Sequence, residues 1–291
     1  MGPRTENNKP LKESASAYCL APLFEVCMHL KRWLTGIIIA PILIFPLFIE
    51  PRWPFHIVLA LISLAGLLEL FRLHEHRAPL IIQGITYIVS SLLFLTILLG
   101  RIHYWPLVVV GWTFLPMIAG LFLYSKPEAL VTSVLAKSVF GPCYISLPLG
   151  MLALIDRYPR GNLWVLFLFV VVFAGDTGAF YLGRLLGKHK LSQTISPGKT
   201  WEGAIGGGLS TLFAGLWFFH LTRLDSVRVA TVLLLLGVTV AAQLGDLAES
   251  MLKRSHGKKD SGSVLPGHGG VLDRIDGLLF AIPILYVYLI L

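Results

Sequence analysis

Long apolar runs separated by short polar stretches dominate the chain after residue 33. A helix that crosses a bilayer needs about 20 mostly apolar residues, and most of the runs are close to that length. They cover residues 34–49, 56–71, 81–100, 105–124, 138–155, 163–183, 203–221, 229–247 and 277–291. The pattern predicts an all-α polytopic membrane protein with about nine transmembrane helices, preceded by a polar N-terminal tail at residues 1–33.

Composition excludes a soluble globular domain. Hydrophobic residues make up 55% of the 291 residues, charged residues make up 14%, and the mean hydropathy is +0.75. Soluble domains carry roughly 25% charged residues, which keep their surfaces hydrated. This chain has too few polar side chains to cover such a surface, so lipid must be its main solvent.

The positive charge is distributed unevenly between the two predicted faces of the membrane. Lys and Arg outnumber Asp and Glu by 24 to 16. Of the 24, 18 fall in residues 1–33, 72–80, 125–137, 184–202 and 248–276, and 6 fall in the opposite connections. Cytoplasmic loops carry the excess of Lys and Arg, so the N-terminus is predicted to be cytoplasmic. No long basic stripe or RNA-binding motif indicates a nucleic-acid partner.

Asp176 stands inside an otherwise apolar run, between Gly175 and Gly178. A carboxylate near membrane depth costs about 2.5–3.5 kcal/mol on insertion scales, so it normally faces a wet or paired site. The two glycines leave room beside it. Asp176 is therefore a candidate functional residue, and a structural pair with a neighbouring helix is the alternative.

The segment Ser196-Pro-Gly-Lys199-Thr200 ends like a nucleotide-binding P-loop. That motif requires a glycine where this chain has Gln193, and no hydrophobic strand precedes it. A soluble P-loop NTPase is therefore excluded. The segment is predicted to be a Pro-Gly turn that presents a lysine and two hydroxyls just before a membrane span. An interfacial anchor and helix start is the alternative.

The densest polar signal lies at residues 246–276. Asp246 and Glu249 are spaced i,i+3 at the end of the eighth run, and Asp273 and Asp276 repeat that spacing before the ninth. Residues at this spacing share a helix face, and carboxylate oxygens suit a hard divalent cation. The segment also contains five strong bases, Lys253, Arg254, Lys258, Lys259 and Arg274.

Acids and bases together indicate a metal–triphosphate substrate. A lipid anchor would not need the acids, and a site for one magnesium ion would not need so many bases. His268 stands among glycines in Pro266-Gly267-His268-Gly269-Gly270, where the backbone can approach a phosphate closely. Helix caps and intrahelical pairs such as Glu249–Lys253 are the alternative explanation of this segment.

Residues 250–276 resemble the sequence pattern of the phosphatidate cytidylyltransferases. The resemblance rests on Ser250-Met-Leu-Lys253-Arg254, on Lys259-Asp260, and on Leu265-Pro-Gly-His268-Gly-Gly-Val-Leu-Asp273-Arg274-Ile-Asp276. The segments SPGKTWEG and QLGD are also similar to this family. The catalytic region is therefore expected at residues 138–291, with residues 34–137 as the N-terminal transmembrane helices.

This resemblance implies an enzyme of the bacterial cytoplasmic membrane that forms CDP-diacylglycerol and pyrophosphate from CTP and phosphatidic acid. It implies Mg²⁺ bound at Asp246 and Asp273 with Asp276 as a third candidate, a second, monovalent cation such as K⁺, and a homodimer. We expect Asp276 and Asp176 to complete the site. The residues expected to bind substrate are Ser196, Lys199, Lys253, Arg254, Lys259, His268 and Arg274.

Two other classes of protein compete with this interpretation. A polyprenol or phytol kinase, or a CDP-archaeol synthase, would share a membrane site for CTP but should lack the full pattern at residues 250–276. A transporter would carry charged residues through several central spans, whereas here they concentrate in the loops.

Overall fold

The computed structural model describes residues 41–73, 78–123, 130–258, 261–262 and 269–291. Nearly all of this part is helical, and a single antiparallel hairpin joins two of the helices. The helices are α1 (Trp53–Arg72), α2 (Leu80–Leu98), α3 (Trp105–Leu123), α4 (Leu130–Gly141), α5 (Leu147–Asp156), α6 (Gly161–Leu186), α7 (Trp201–Thr222), α8 (Val229–Ser255) and α9 (Leu272–Ile290).

Seven segments of the described chain are long and apolar enough to cross a membrane, from Trp53–Arg72 to Val229–Ser255. They correspond to the seven runs predicted between residues 56 and 247. α9 matches the last predicted run but carries Asp273, Arg274 and Asp276 in its first turns. Of the first run, residues 34–40 lie outside the described residues, as does the polar tail at residues 1–33. Residues 41–49 include a short 3₁₀ helix, Phe45–Phe48.

The run predicted at residues 138–155 is longer and less regular than expected. α4 continues through a π-helical turn, Pro142–Ser146, into α5, and together they form one candidate span, Thr132–Asp156. Single π turns inside helices occur frequently at functional sites. The boundary predicted at residues 137/138 falls inside this span, and the division into two regions stays a prediction.

Apolar side chains fill the interior of the bundle and also cover its outside. Trp112, Phe55 and Phe167 are fully buried, whereas Phe122 is 87% exposed and Leu121 is 76% exposed. A water-soluble protein rarely exposes a large contiguous apolar surface. The outer surface therefore suits contact with lipid acyl chains.

Small residues allow the helices from α6 to α9 to pack backbone against backbone. A Cβ added at Gly178 of α6 would collide with Ser210 of α7, and one added at Gly245 of α8 would collide with the backbone of Asp276 in α9. Small residues at helix contacts let membrane helices approach closely. This packing places Asp246, next to Gly245, at the level of Asp276.

Contacts between the connections show which of them share an end of the bundle. At one end, Arg52 pairs with Asp156 at 2.8 Å and Tyr288 donates to Asp225 at 2.6 Å. At the other end, Lys258 Nζ donates to the carbonyl of Arg72 at 2.7 Å. This grouping agrees with the alternation of faces predicted from the apolar runs.

The Pro-Gly turn predicted at residues 196–200 is wrong in one respect, because these residues form a strand. β1 (Lys190–Ser192) pairs antiparallel with β2 (Ser196–Thr200), and the turn lies at residues 193–195. Proline is tolerated in a two-stranded hairpin because each strand has an unpaired edge. Thr200 then caps α7 by accepting a hydrogen bond from Gly203 N at 3.1 Å, so the helix start named in the alternative interpretation is present.

Candidate active site

Lys199 and Asp246 form the first contact of the site. β2 ends at the N-cap of α7, so Lys199 projects from the hairpin toward α8, and its Nζ lies 2.5 Å from an oxygen of Asp246. The two side chains keep 25% and 40% of their surfaces exposed. The ion pair is therefore accessible to a substrate, and both charges remain available for exchange with a ligand.

Two further carboxylates belong to the same group. Asp176 on α6 interacts electrostatically with Asp246 and Lys199, and Asp276 on α9 interacts with both Asp246 and Asp176. Asp176 is exposed, whereas Asp276 is partly buried and accepts a hydrogen bond from Gly277 N at 2.7 Å. Three acids from three helices thus interact electrostatically, and Lys253 also acts on Asp276. We call Lys199, Asp176, Asp246 and Asp276 the carboxylate group.

Asp273 has a different environment from the one expected of a magnesium ligand. Its Oδ1 accepts from Lys253 Nζ at 2.5 Å. Its Oδ2 accepts from Gly270 N at 2.8 Å and from the Oγ and N of Ser261 at 3.0 and 3.1 Å. The structure thus places Asp273 with Lys253 and the loop before α9, one helical turn from Asp276, and outside the carboxylate group.

Lys253 is held between two acids. It forms ion pairs with Glu249 in the preceding turn of α8 and with Asp273 in α9, and all three side chains are at most 13% exposed. Charges buried in this way are strongly coupled, since removing one partner leaves an uncompensated charge. The i,i+4 pair Glu249–Lys253 considered from the sequence is therefore present, and Lys253 is engaged with protein groups.

The remaining expected substrate-binding residues are distributed around this end of the bundle. Ser196 lies at the start of β2 and is partly buried, while Arg254 and Arg274 are exposed at the end of α8 and the start of α9. Lys259 and His268 lie outside the described residues. The basic surface expected around the site thus includes at least Lys199, Arg254 and Arg274.

Two polar residues near the site were not identified from the sequence. Glu69 on α1 is 1% exposed and accepts hydrogen bonds from the loop before α9. The insertion-cost argument used for Asp176 applies equally to Glu69, which lies inside the predicted run 56–71. Tyr144, in the π turn, buries its hydroxyl close to the acids of α8 and α9. No spacing in the sequence indicates that position.

The carboxylate group suits a hard cation by its chemistry. Three carboxylates supply only oxygen donors, and Mg²⁺ usually takes one or two carboxylates together with substrate phosphates and water. Within the described part of the chain, no three His, Cys, Asp or Glu side chains already surround one point. Metal binding here would therefore require phosphate or water oxygens, and the Lys199 ammonium would have to release Asp246.

Comparison with known proteins identifies the family. The profile of the cytidylyltransferase family matches residues 30–291. A phosphatidate cytidylyltransferase of Haemophilus influenzae is 31% identical over 87% of this chain and 96% of its own length. A protein of the same name from Staphylococcus epidermidis is 34% identical over 81% of this chain and 88% of its own length. One from Brucella suis is 48% identical over 45% of this chain and 48% of its own length. The chain belongs to the cytidylyltransferase family.

Proposed function

We propose that this protein is a CTP:phosphatidate cytidylyltransferase that produces CDP-diacylglycerol and pyrophosphate for phospholipid biosynthesis. The carboxylate group carries the proposal, because the lysine of the SPGKTWEG segment pairs with the acid of QLGD, and that acid interacts electrostatically with Asp276 of the 250–276 pattern. Relatives that bear this name, and the family profile over residues 30–291, support the same activity.

The reaction requires positioning more than a basic side chain. Phosphatidate carries a phosphate monoester whose second pKa is about 6, so it is largely dianionic near neutral pH. One of its oxygens would form a bond to the α-phosphorus of CTP, while the bond from that phosphorus to the bridging oxygen of pyrophosphate breaks. The barrier arises mainly from repulsion between anions and from charge on the departing oxygens.

Each residue then has a role that its chemistry supports. Lys199 would exchange its contact with Asp246 for a phosphate oxygen, and Arg254 and Arg274 would attract the triphosphate or the lipid phosphate. Ser196, Lys259 and His268 are proposed to bind substrate phosphates as well, from their place in the sequence pattern. Lys253 would support the site through Glu249 and Asp273.

Asp246 and Asp276, supported by Asp176, are the residues that would hold Mg²⁺. A bound divalent cation supplies positive charge against the triphosphate oxygens. Asp273 could join them only by giving up hydrogen bonds to Lys253, Ser261 or Gly270. We also propose that a monovalent cation such as K⁺ binds at the site and that the protein forms a homodimer. Its membrane would be the bacterial cytoplasmic membrane, with the N-terminus in the cytoplasm.

Two labelled substrates test the activity. The purified protein in detergent is incubated with phosphatidate, Mg²⁺ and CTP that carries a radiolabel on either the α- or the γ-phosphate. Cytidylyl transfer puts only the α label into the lipid and releases the γ label as pyrophosphate. Label from the γ-phosphate in the lipid would indicate a kinase, and an unlabelled lipid with both substrates would contradict the proposed function.

A further inference from the structure

Glu69 is a buried acid from a part of the chain far from the 250–276 pattern. It lies one turn before the end of α1 and is 1% exposed. Its position inside an apolar span makes a carboxylate costly unless the surrounding groups compensate it. Its contacts therefore indicate what it does.

All of the hydrogen-bond partners that its carboxylate has among the described residues belong to the start of α9 or to the loop before it. Glu69 Oε1 accepts from Val271 N at 2.8 Å, and Oε2 accepts from Leu272 N at 2.9 Å. The Ser261 hydroxyl lies 3.2 Å from Oε2 and 3.0 Å from Asp273 Oδ2, so the two carboxylates share its one proton. Val271 is the N-cap of α9 and provides no side-chain cap of its own. A negative charge at a helix N-terminus satisfies free N–H groups and the helix dipole, so Glu69 replaces the missing cap.

Two glycines let the loop lie directly on this carboxylate. A Cβ at Gly262 would stand 2.8 Å from Glu69 Oε1, and one at Gly270 would stand 2.5 Å from Oε2. A side chain at either position would have to displace the Glu69 carboxylate. The same loop residues, Ser261 and Gly270, also donate to Asp273. Glu69 and Asp273 therefore both contact Ser261, and they hold consecutive residues, 270 to 272, at the start of α9.

We infer that Glu69 is a positioning residue for cytidylyl transfer: it fixes the first turns of α9, and through them Asp273 and Asp276, against α8. This inference rests on the proposed function for its catalytic part. A carboxylate that only filled space would gain nothing from its charge, whereas this one accepts two backbone hydrogen bonds that set where a functional helix begins. Glu69 thus makes α1 part of the site, although its sequence lies outside the 250–276 pattern.

Glu69→Gln tests the inference with almost unchanged volume. The amide places an N–H₂ group opposite an N–H group at either Val271 or Leu272, so one cap is lost. We expect kcat to fall about tenfold to a hundredfold, as for a shift of about 1 Å in a catalytic geometry, with a much smaller change in KM for CTP. Amide hydrogen exchange should become faster in residues 269–275 and stay unchanged in α6.

Glu50→Gln is the matched control, since Glu50 is a largely exposed acid at the other end of α1. Its kcat and exchange should equal those of the unmodified protein. A Glu69→Gln variant with normal kcat and normal exchange at residues 269–275, or equal losses in both variants, would overturn the inference. If Glu69→Gln does not fold, Glu69→Asp keeps the charge but shortens the reach, and a normal kcat for that variant would be equally decisive.

The proposed function and the inference can fail separately. An unmodified protein that transfers no α label contradicts the function, while hydrogen exchange at residues 269–275 still reports whether Glu69 holds the start of α9. An active unmodified protein with an unaffected Glu69→Gln variant contradicts the inference alone.

Discussion

The ion pair between Lys199 and Asp246 joins two residues that were predicted to act on different parts of the substrate. Lys199 was expected to bind a phosphate and Asp246 a metal, and neither role suggested that they touch each other. Opposite charges at a membrane surface neutralise one another. Under the proposed function, the pair would be a preformed position for a metal–phosphate ligand: a metal ion would replace the ammonium of Lys199, and a phosphate would replace the carboxylate of Asp246.

Asp246→Asn should abolish cytidylyl transfer while the protein remains in the membrane. The amide keeps the shape of Asp246 but removes the charge, and losing one preorganised electrostatic contact costs about 10²–10³ in kcat. Transfer of α label to lipid and the amount of protein in the membrane fraction are the measurements. Asp225→Asn, at the other end of the bundle, is the control and should retain activity. Near-normal turnover by Asp246→Asn would refute its role.

Asp273→Asn separates ligation of metal from support of the loop. Its oxygens already accept from Lys253, Ser261 and Gly270, and the amide leaves Lys253 with a single acid. We expect loss of activity that a tenfold higher Mg²⁺ concentration does not restore, because the defect lies in the position of α9. The Mg²⁺ dependence of kcat is the measurement. Full recovery at high Mg²⁺ would identify Asp273 as a metal ligand.

At the scale of the elements, apolar runs were sufficient to locate the helices. The structure shifts the ends of the runs between residues 56 and 247 mostly by a few residues, because length and hydropathy determine a membrane span. The hairpin at residues 190–200 was not predicted, since two strands of three and five residues are too short to show periodicity. The environment of Asp273 could not be predicted from the sequence either, because it depends on tertiary contacts with Ser261 and Gly270.

The junction of β2 and α7 can be tested through its cap. Thr200→Val removes the oxygen that accepts from Gly203 N, at a cost of about 1 kcal/mol. We expect a lower Tm in detergent and a higher KM for CTP, because Lys199 directly precedes the cap. Thr194→Val, in the exposed turn of the same hairpin, should change neither quantity. Equal behaviour of the two variants would show that the cap does not position Lys199.

For the molecule as a whole, the polar site and the basic loops occupy the same end of the bundle. At this end Lys258 donates a hydrogen bond to the carbonyl of Arg72, Val271 N donates one to Glu69, and Lys199 forms an ion pair with Asp246. α1 thus contacts both the segment just after α8 and the start of α9, although the 250–276 pattern that carries most of the family resemblance is C-terminal. A water-soluble nucleotide and a lipid phosphate could both reach such a site from one aqueous compartment.

The distribution of 18 and 6 basic residues predicts that this end faces the cytoplasm. In a background with Cys19, Cys27 and Cys143 replaced by serine, single cysteines are introduced as Ser226→Cys and Ser255→Cys, both at exposed positions. Ser226 lies just before α8 and Ser255 is its last residue, so the two positions lie at opposite ends of the span. An impermeant maleimide should therefore label position 226 in intact spheroplasts and should label position 255 only after lysis. The reverse pattern would invert the topology and place the carboxylate group away from cytoplasmic CTP. Labelling of both positions after lysis confirms that each thiol can react.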